Sequence, residues 1–264
     1  MTSLLPQHAR FIEEVTARFA ADPAVEALLV GGSVAHGLAR PDSDLDVMLV
    51  VADDELARRT AAHQVTFTDL DAGDYEGGYL DGKVISRRFL AEVIERGSEP
   101  ARWAFADAIV GFSRAPDVEE LVRSAGAYPE AQREEKLEAF LGHAMLMTWF
   151  HGEAAKRDDR YLVAYASSRV ALYAGRAILA HNRLLYPFHK WFTAILERAP
   201  LRPPDLLEQI DGVLADPTAT RAEALTASVA DVVGIELTIG EAASRFTELT
   251  EWSWRYGPPP LDES

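Results

Sequence analysis

The segment from Gly31 to Val50 places residues that suit phosphate and divalent cations at close spacing. It reads GGSVAHGLARPDSDLDVMLV, with a Gly-Gly-Ser turn ahead of the acid pair Asp44 and Asp46. Because glycine has no Cβ, the backbone at Gly32 can bend sharply and approach a ligand. Ser33 is expected to open a short helix, whose free N–H groups suit a phosphate.

The two acids lie at the start of an apolar run that predicts a β-strand, and a second apolar run, Val25 to Val30, predicts a strand before the glycines. Since side chains alternate along a strand, Asp44 and Asp46 leave the same face. Two such carboxylates offer the hard oxygen donors that magnesium prefers. The alternative is structural, because Pro41-Asp42-Ser43-Asp44 is also good turn chemistry. The joint order of turn, spacer, acids and strands favours a catalytic site.

This order resembles the nucleotidyltransferase superfamily that includes DNA polymerase beta and the aminoglycoside nucleotidyltransferases. The family pattern is Gly-Ser, a spacer of roughly ten residues, then Asp-x-Asp in an apolar strand. Gly32, Ser33, Asp44 and Asp46 match it here. The resemblance implies transfer of a nucleoside monophosphate from ATP or another nucleoside triphosphate. It also implies two magnesium ions held by the acids, and phosphate contacts at Gly32 and Ser33.

The resemblance also implies a third carboxylate, catalytic and metal-binding, on a later strand. Asp81 is the predicted residue, with Glu76 and Asp74 as alternatives. Asp81-Gly82 is equally typical of a hairpin turn. In that case Ser86, which cannot replace a carboxylate, would face the metal. A single sequence fixes strand register weakly, so both arrangements remain open.

Further candidates lie outside this pattern. Pro187 is expected to begin a helix with Lys190 in its first turn, where a lysine opposes the helix dipole. That placement predicts an anionic partner for Lys190, either the nucleotide phosphates or a salt-bridging acid. His36 and Arg40, in the spacer, are candidate phosphate contacts or solvated loop residues. Glu153 is a candidate general base, or an exposed helical glutamate.

The pattern of elements predicts an α+β fold with two domains. Residues 1–125 are expected to form a mixed sheet with helices, the catalytic domain, and a boundary is expected around Gly126 and Pro129. Residues 126–264 are expected to form a bundle of about five helices that selects the acceptor and closes the cleft. The predicted helices cover residues 134–156, 161–184, 187–198, 205–214 and 219–255, with a proline run at 258–260 ending the last.

Charge and composition narrow the partners. The formal net charge is −16, with an acid excess in both halves, which argues against nucleic acid as a partner. It favours a cationic acceptor or a small neutral one. Together with the helical second domain, the resemblance implies a small hydroxyl-bearing acceptor of the aminoglycoside-antibiotic type. One alternative is a minimal-type transferase that modifies a protein or tRNA in a toxin–antitoxin pair. Another is a nucleotide-binding regulator with weakened catalysis.

Composition also predicts where in the cell the protein is located. The chain has no cysteine and no uninterrupted apolar run near twenty residues. Its N-terminal segment reads as an amphipathic helix, with acids where a secretory signal would be apolar. These features predict a cytoplasmic protein without a membrane span. The sequence does not predict the oligomeric state.

Overall fold

The computed structural model describes residues 4–258, which form two compact units, residues 1–128 and 129–264 as far as they are described. The first unit carries a five-stranded sheet with helices, and the second is helical. The predicted α+β class is therefore confirmed. The prolines at 259 and 260 that were expected to end the last helix lie outside the described residues.

The first unit has eleven elements. In chain order they are α1 (Pro6–Ala20), β1 (Val25–Val30), α2 (Gly32–Ala35), β2 (Leu45–Val51), α3 (Asp53–Ala61), β3 (Thr66–Asp69), β4 (Leu80–Ser86), α4 (Arg87–Arg96), α5 (Glu99–Ala106), β5 (Ile109–Ser113) and α6 (Val118–Ala125). The strand order is β3-β4-β2-β1-β5. β2 and β4 are parallel, and the other neighbouring pairs are antiparallel.

The sheet of the first unit is covered on both faces, which explains why its central strands read as nearly continuous apolar runs. On one face, Phe11 and Val15 of α1 pack with Leu28 and Leu49. The other face packs against α4, α5 and α6, with a core that includes Leu29, Met48, Val50, Leu90, Phe105 and Val122. Burial on both faces fixes the register, because a one-residue slip would exchange the two sets of side chains.

The second unit contains six α-helices among the described residues, where a bundle of about five was expected. They are α7 (Arg133–Arg157), α8 (Arg160–His181), α9 (Phe192–Glu197), α10 (Leu206–Ala215), α11 (Ala219–Val233) and α12 (Ile239–Leu249). α7 ends at Arg157, and the next residue, Asp158, adopts φ 52°. Asp159 caps α8 by accepting a hydrogen bond from the Leu162 N–H. α7 packs along α8 and also contacts α11 and α12.

The prediction that a helix begins at Pro187 is wrong. Residues 184–191 are irregular, and α9 begins only at Phe192. Phe188 adopts φ 66°, a left-handed conformation that a right-handed helix cannot contain. Tyr186 is buried and packs edge-on against Phe192, with ring centroids 5.6 Å apart. Tertiary packing of the aromatic side chains thus replaces the helix in this segment.

No helix between residues 4 and 258 combines the length and the apolar character needed to cross a bilayer.

Candidate active site at the end of the central strands

The glycine turn lies directly against the acid pair. Gly31 follows β1, and its N–H donates a hydrogen bond to the Asp46 carbonyl at 3.0 Å. Gly32 adopts φ 59°, and a Cβ built there would lie 1.7 Å from Oδ2 of Asp46. Only glycine fits at position 32, because it combines a left-handed backbone with room for the carboxylate. Ser33 is buried in α2, with 5 % of its surface exposed.

Asp44 and Asp46 lie at the start of β2 and face the same side. Asp44 directly precedes the strand, and Asp46 is its second residue. The flanking Leu45 and Val47 are buried against α1, at 0 % and 2 % exposure. Alternation along the strand therefore directs both carboxylates to the opposite side, where each is partly exposed.

Asp81 lies beside Asp46. β2 and β4 are parallel neighbours, and their register pairs Leu45 with Leu80 and Asp46 with Asp81. Paired residues on neighbouring strands point to the same face, about 5 Å apart. On the other edge of β4, the Thr68 hydroxyl donates to Oδ1 of Asp81 at 3.3 Å. The register thus brings the three predicted carboxylates to one end of one sheet face.

The alternative hairpin at Asp81-Gly82 is wrong. β4 runs without a turn from Leu80 to Ser86 and pairs with β3 on one side and β2 on the other. Ser86 is 2 % exposed and caps α4, its hydroxyl accepting a hydrogen bond from the Phe89 N–H at 3.2 Å. Ser86 is therefore a helix cap rather than a residue that faces a metal.

Tyr79 is a member of this site that the sequence reasoning missed. Its hydroxyl donates a hydrogen bond to Asp44, and this bond and the Asp44 charge are the main reasons that the pKa of Tyr79 is raised. Burial and the charges of Asp81 and Asp46 add to the shift. All three carboxylates therefore act on one phenol. The available signal was the spacing, since Tyr79 precedes Asp81 by two residues and so shares its face.

Two further side chains hold the loop that leads to Asp44. The Tyr75 hydroxyl donates to the Ser43 carbonyl at 2.8 Å. His8 of α1 is 1 % exposed, bonds to the Ser43 backbone and meets the Tyr75 ring edge-on at 5.6 Å between centroids. Burial lowers the pKa of His8, and burial with the nearby charges of Asp44 and Asp74 raises that of Tyr75. The loop before the acids is thus fixed by buried contacts.

The other predicted phosphate contacts of this unit have partners of their own. His36 is 5 % exposed, stacks on Trp103 with centroids 3.6 Å apart, and bonds through Nδ1 to Asp107 at 2.9 Å. Arg40 is exposed and pairs with Asp42 at 3.0 Å. His36 therefore offers little surface to a ligand. Arg40 would have to release Asp42 before it could bind a phosphate.

The donor set suits magnesium in chemistry, since Asp44, Asp46 and Asp81 supply only carboxylate oxygens. Gly32 leaves the space beside Asp46 that a side chain would fill. In residues 4–258 no three His, Cys, Asp or Glu side chains are arranged so that they could already hold a metal ion. The carboxylates thus share a face and an end of the sheet without forming a closed cage.

Lys190 and Glu153 belong to the helical unit. Lys190 is exposed in the turn before α9, with its ammonium 5.3 Å from the centre of the Trp191 ring. It does not occupy the first turn of a helix, so the dipole argument for an anionic partner does not apply. Glu153 pairs with Lys156 at 2.6 Å, which lowers the pKa of the carboxyl. The roles predicted for Lys190 and Glu153 remain predictions.

The first unit is similar in sequence to a known family. Residues 9–95 match the family model described as a nucleotidyltransferase domain. A solved structure, a nucleotidyltransferase-like protein from Exiguobacterium sibiricum 255-15, is similar with a TM-score of 0.49 at 10 % identity, covering 93 % of this chain and 80 % of that one. A search of curated proteins gave no match.

Proposed function

We propose that the chain moves AMP from ATP to a hydroxyl of a small molecule, because residues 9–95 match a nucleotidyltransferase domain. Pyrophosphate is the second product. The single observation that carries this proposal is the register that sets Asp81 beside Asp46, with Asp44 on the same face. Three acids around one sheet end would hold the cations that a reaction with developing negative charge on the phosphates requires.

Asp44, Asp46 and Asp81 would hold two magnesium ions, which lower the pKa of the acceptor hydroxyl and neutralise charge on the phosphates when bound. The chain's own groups provide the positioning. The Gly31–Gly32 turn lets the backbone approach the triphosphate, and Ser33 follows it. Tyr79 holds the Asp44 carboxylate through its hydrogen bond. Fixed geometry of this kind accounts for a large share of catalysis in such reactions.

The acceptor follows from charge. A chain with a net charge of −16 attracts cations, and an aminoglycoside-type antibiotic is a polycation with many hydroxyls. The helical unit is the proposed acceptor-selecting domain, and Lys190 a proposed contact to the triphosphate. Antibiotic resistance is then the physiological role, and the cytoplasm, where ATP and magnesium are available, is the proposed location.

Pyrophosphate release from ATP and magnesium, measured against panels of aminoglycosides and lincosamides, tests the proposal. Asp46→Asn should lower the rate about a thousandfold, because it removes a carboxylate that would hold the magnesium ions. Asp71→Asn removes an exposed acid of the same unit and serves as the matched control. Far-ultraviolet circular dichroism of both variants should match that of the parent chain.

The same assay separates the other candidate functions. Modification of no small molecule, with labelling of a protein or tRNA, would select the minimal-type transferase. Binding of ATP and magnesium without pyrophosphate release, for any acceptor, would select the regulator. A rate unchanged by Asp46→Asn would overturn the assignment of the active site.

A further inference from the structure

The helical unit contains a cavity of about 960 Å³ between α7 and α11, bordered also by residues 234–239. We call it the α7–α11 cavity. Its volume lies in the range of small-molecule sites, roughly 300–1,000 Å³. It is therefore large enough to enclose a molecule of several rings.

Small side chains create the α7–α11 cavity. Ala219, Ala227 and Ala230 face it from α11, and Gly152 faces it from α7. A Cβ at Gly152 would meet no atom within 4 Å. Packed helices normally fill the space between them with interdigitating side chains. Here the residues that should fill it are the smallest ones, so the recess is a feature of the sequence.

The walls combine apolar surface with one polar pair. Trp149 is 51 % exposed and Ile239 56 %, although both line the cavity. The Thr148 hydroxyl donates to the Ala144 carbonyl at 2.9 Å and lies 2.8 Å from the Thr226 hydroxyl. Thr226 is thus the donor to Thr148, and its remaining lone pairs are acceptors for a ligand N–H or O–H.

The rim of the cavity is acidic. Glu153, Glu223, Asp231 and Glu236 line it together with one cation, Lys156, and Lys156 is already bound to Glu153 at 2.6 Å. Between residues 4 and 258, no lysine, arginine or histidine forms an ion pair with the other three acids. Three net negative charges therefore border an apolar recess.

We propose that the α7–α11 cavity binds an amphipathic organic cation, a small molecule with an aromatic or aliphatic body and at least one amine. The body would lie against Trp149 and Ile239, and the amine beside Glu223 and Asp231. A second copy of this chain is a poor occupant, because it would bring its own large negative charge to an acidic rim. The proposal concerns binding alone and does not depend on the role of the acids in the sheet unit.

Three naphthalene derivatives of equal size but different charge test the proposal on the full chain by isothermal titration calorimetry. They are 1-naphthylmethylamine, 1-naphthalenemethanol and 1-naphthoate. We expect saturable binding of the amine, about three- to tenfold tighter than the alcohol, since each exposed charge contributes modestly. The naphthoate should bind most weakly.

Variants locate the site. Glu223→Gln with Asp231→Asn should remove the preference for the amine and leave affinity for the alcohol unchanged. Glu208→Gln with Asp211→Asn removes the same two charges from the exposed surface of α10, outside the cavity, and should preserve the preference. Trp149→Ala should weaken binding of both the amine and the alcohol. Thermal unfolding of each variant checks that the fold is kept.

Several results would overturn the proposal. They are no saturable binding of the amine, equal affinity for all three compounds, or identical effects of the two double variants. Dimerisation in light scattering that Trp149→Ala abolishes, without binding of the amine, would assign the α7–α11 cavity to a second copy instead.

Discussion

A methyl group at position 32 would collide with the Asp46 side chain. An alanine Cβ there would lie 1.7 Å from Oδ2, 2.5 Å from Cγ and 2.7 Å from Cβ of Asp46. Rotating the aspartate moves the first two atoms but leaves its Cβ in place. Gly32→Ala must therefore move backbone, either at the turn or in β2, and so displace the carboxylate.

The expected cost of Gly32→Ala has three parts. The left-handed φ of 59° costs an alanine about 1–2 kcal/mol. Alanine also makes the unfolded chain less flexible than glycine does, which offsets about 0.4–1 kcal/mol of this cost. The collision adds about 1–3 kcal/mol, the usual cost of overpacking. Together these predict a loss of about 1–5 kcal/mol, centred near 3 kcal/mol, in the free energy of unfolding.

Gly234→Ala is the matched control. Gly234 has φ 71°, and a Cβ there would meet no atom within 4 Å, so only backbone strain applies. It should cost about 1 kcal/mol. Urea unfolding combined with hydrogen exchange lets each unit report its own free energy, and pyrophosphate release reports activity. Equal losses in the two variants, with activity kept in Gly32→Ala, would refute the close approach of the turn to Asp46.

Three further predictions follow from the same structure. Asp81→Asn should lower pyrophosphate release about a hundredfold or more without changing circular dichroism, because it removes a proposed ligand of the magnesium ions. Asp44→Asn should lower the pKa of Tyr79 toward its ordinary value, measured by ¹³C NMR titration, because a negative acceptor is lost. Arg58 and Arg59 hold the pKa of Glu55 at about 2, so Glu55→Gln should destabilise the protein at neutral pH in urea unfolding. A carboxyl whose pKa is lowered by folding stabilises the folded protein at pH values above its unfolded pKa. The difference between the two proteins should therefore shrink below about pH 4.5 and vanish only below about pH 2.

Each of these predictions has a clear contrary result. Normal activity in Asp81→Asn would remove that residue from the site. A Tyr79 titration that Asp44→Asn leaves unchanged would show that the two side chains do not meet in solution. A stability difference for Glu55→Gln that stays undiminished between pH 7 and pH 2 would show that it comes from packing of the side chain rather than from charge.

Long periodic patterns predicted the structure well. α7 was expected at 134–156 and runs from Arg133 to Arg157. A stripe of apolar residues repeats many times over such a helix, so local error averages out. The strands around the acids were also predicted, because burial on both faces makes them apolar throughout.

The segments that failed depend on partners distant in sequence. Asp81-Gly82 has the composition of a turn, yet both residues lie within β4. A Cβ at Gly82 would lie 2.0 Å from the Phe67 ring, so the glycine is there to admit an aromatic side chain of β3. β3 itself was not predicted, since Thr66–Asp69 is short and half polar. No local pattern encodes contacts of this kind.

The candidate site was predictable to the extent that it is local. Gly32, Asp44 and Asp46 follow from spacing along one stretch of chain. The placement of Asp81 required the register between β2 and β4, which a sequence does not fix. Tyr79 was missed because a tyrosine before a strand is more often a packing residue.

The pairing of Asp46 with Asp81 also sets how the protein should respond to a counter-charge. Carboxylates in register on two neighbouring strands repel one another, and this repulsion puts the end of the sheet under electrostatic tension. Leu45 and Leu80, paired immediately before the acids and fully buried, anchor both strands against that tension. A divalent ion bound at this place would relieve it. Binding of the ion should therefore raise both the unfolding temperature and the catalytic competence of the protein. In many enzymes stability and activity instead oppose each other.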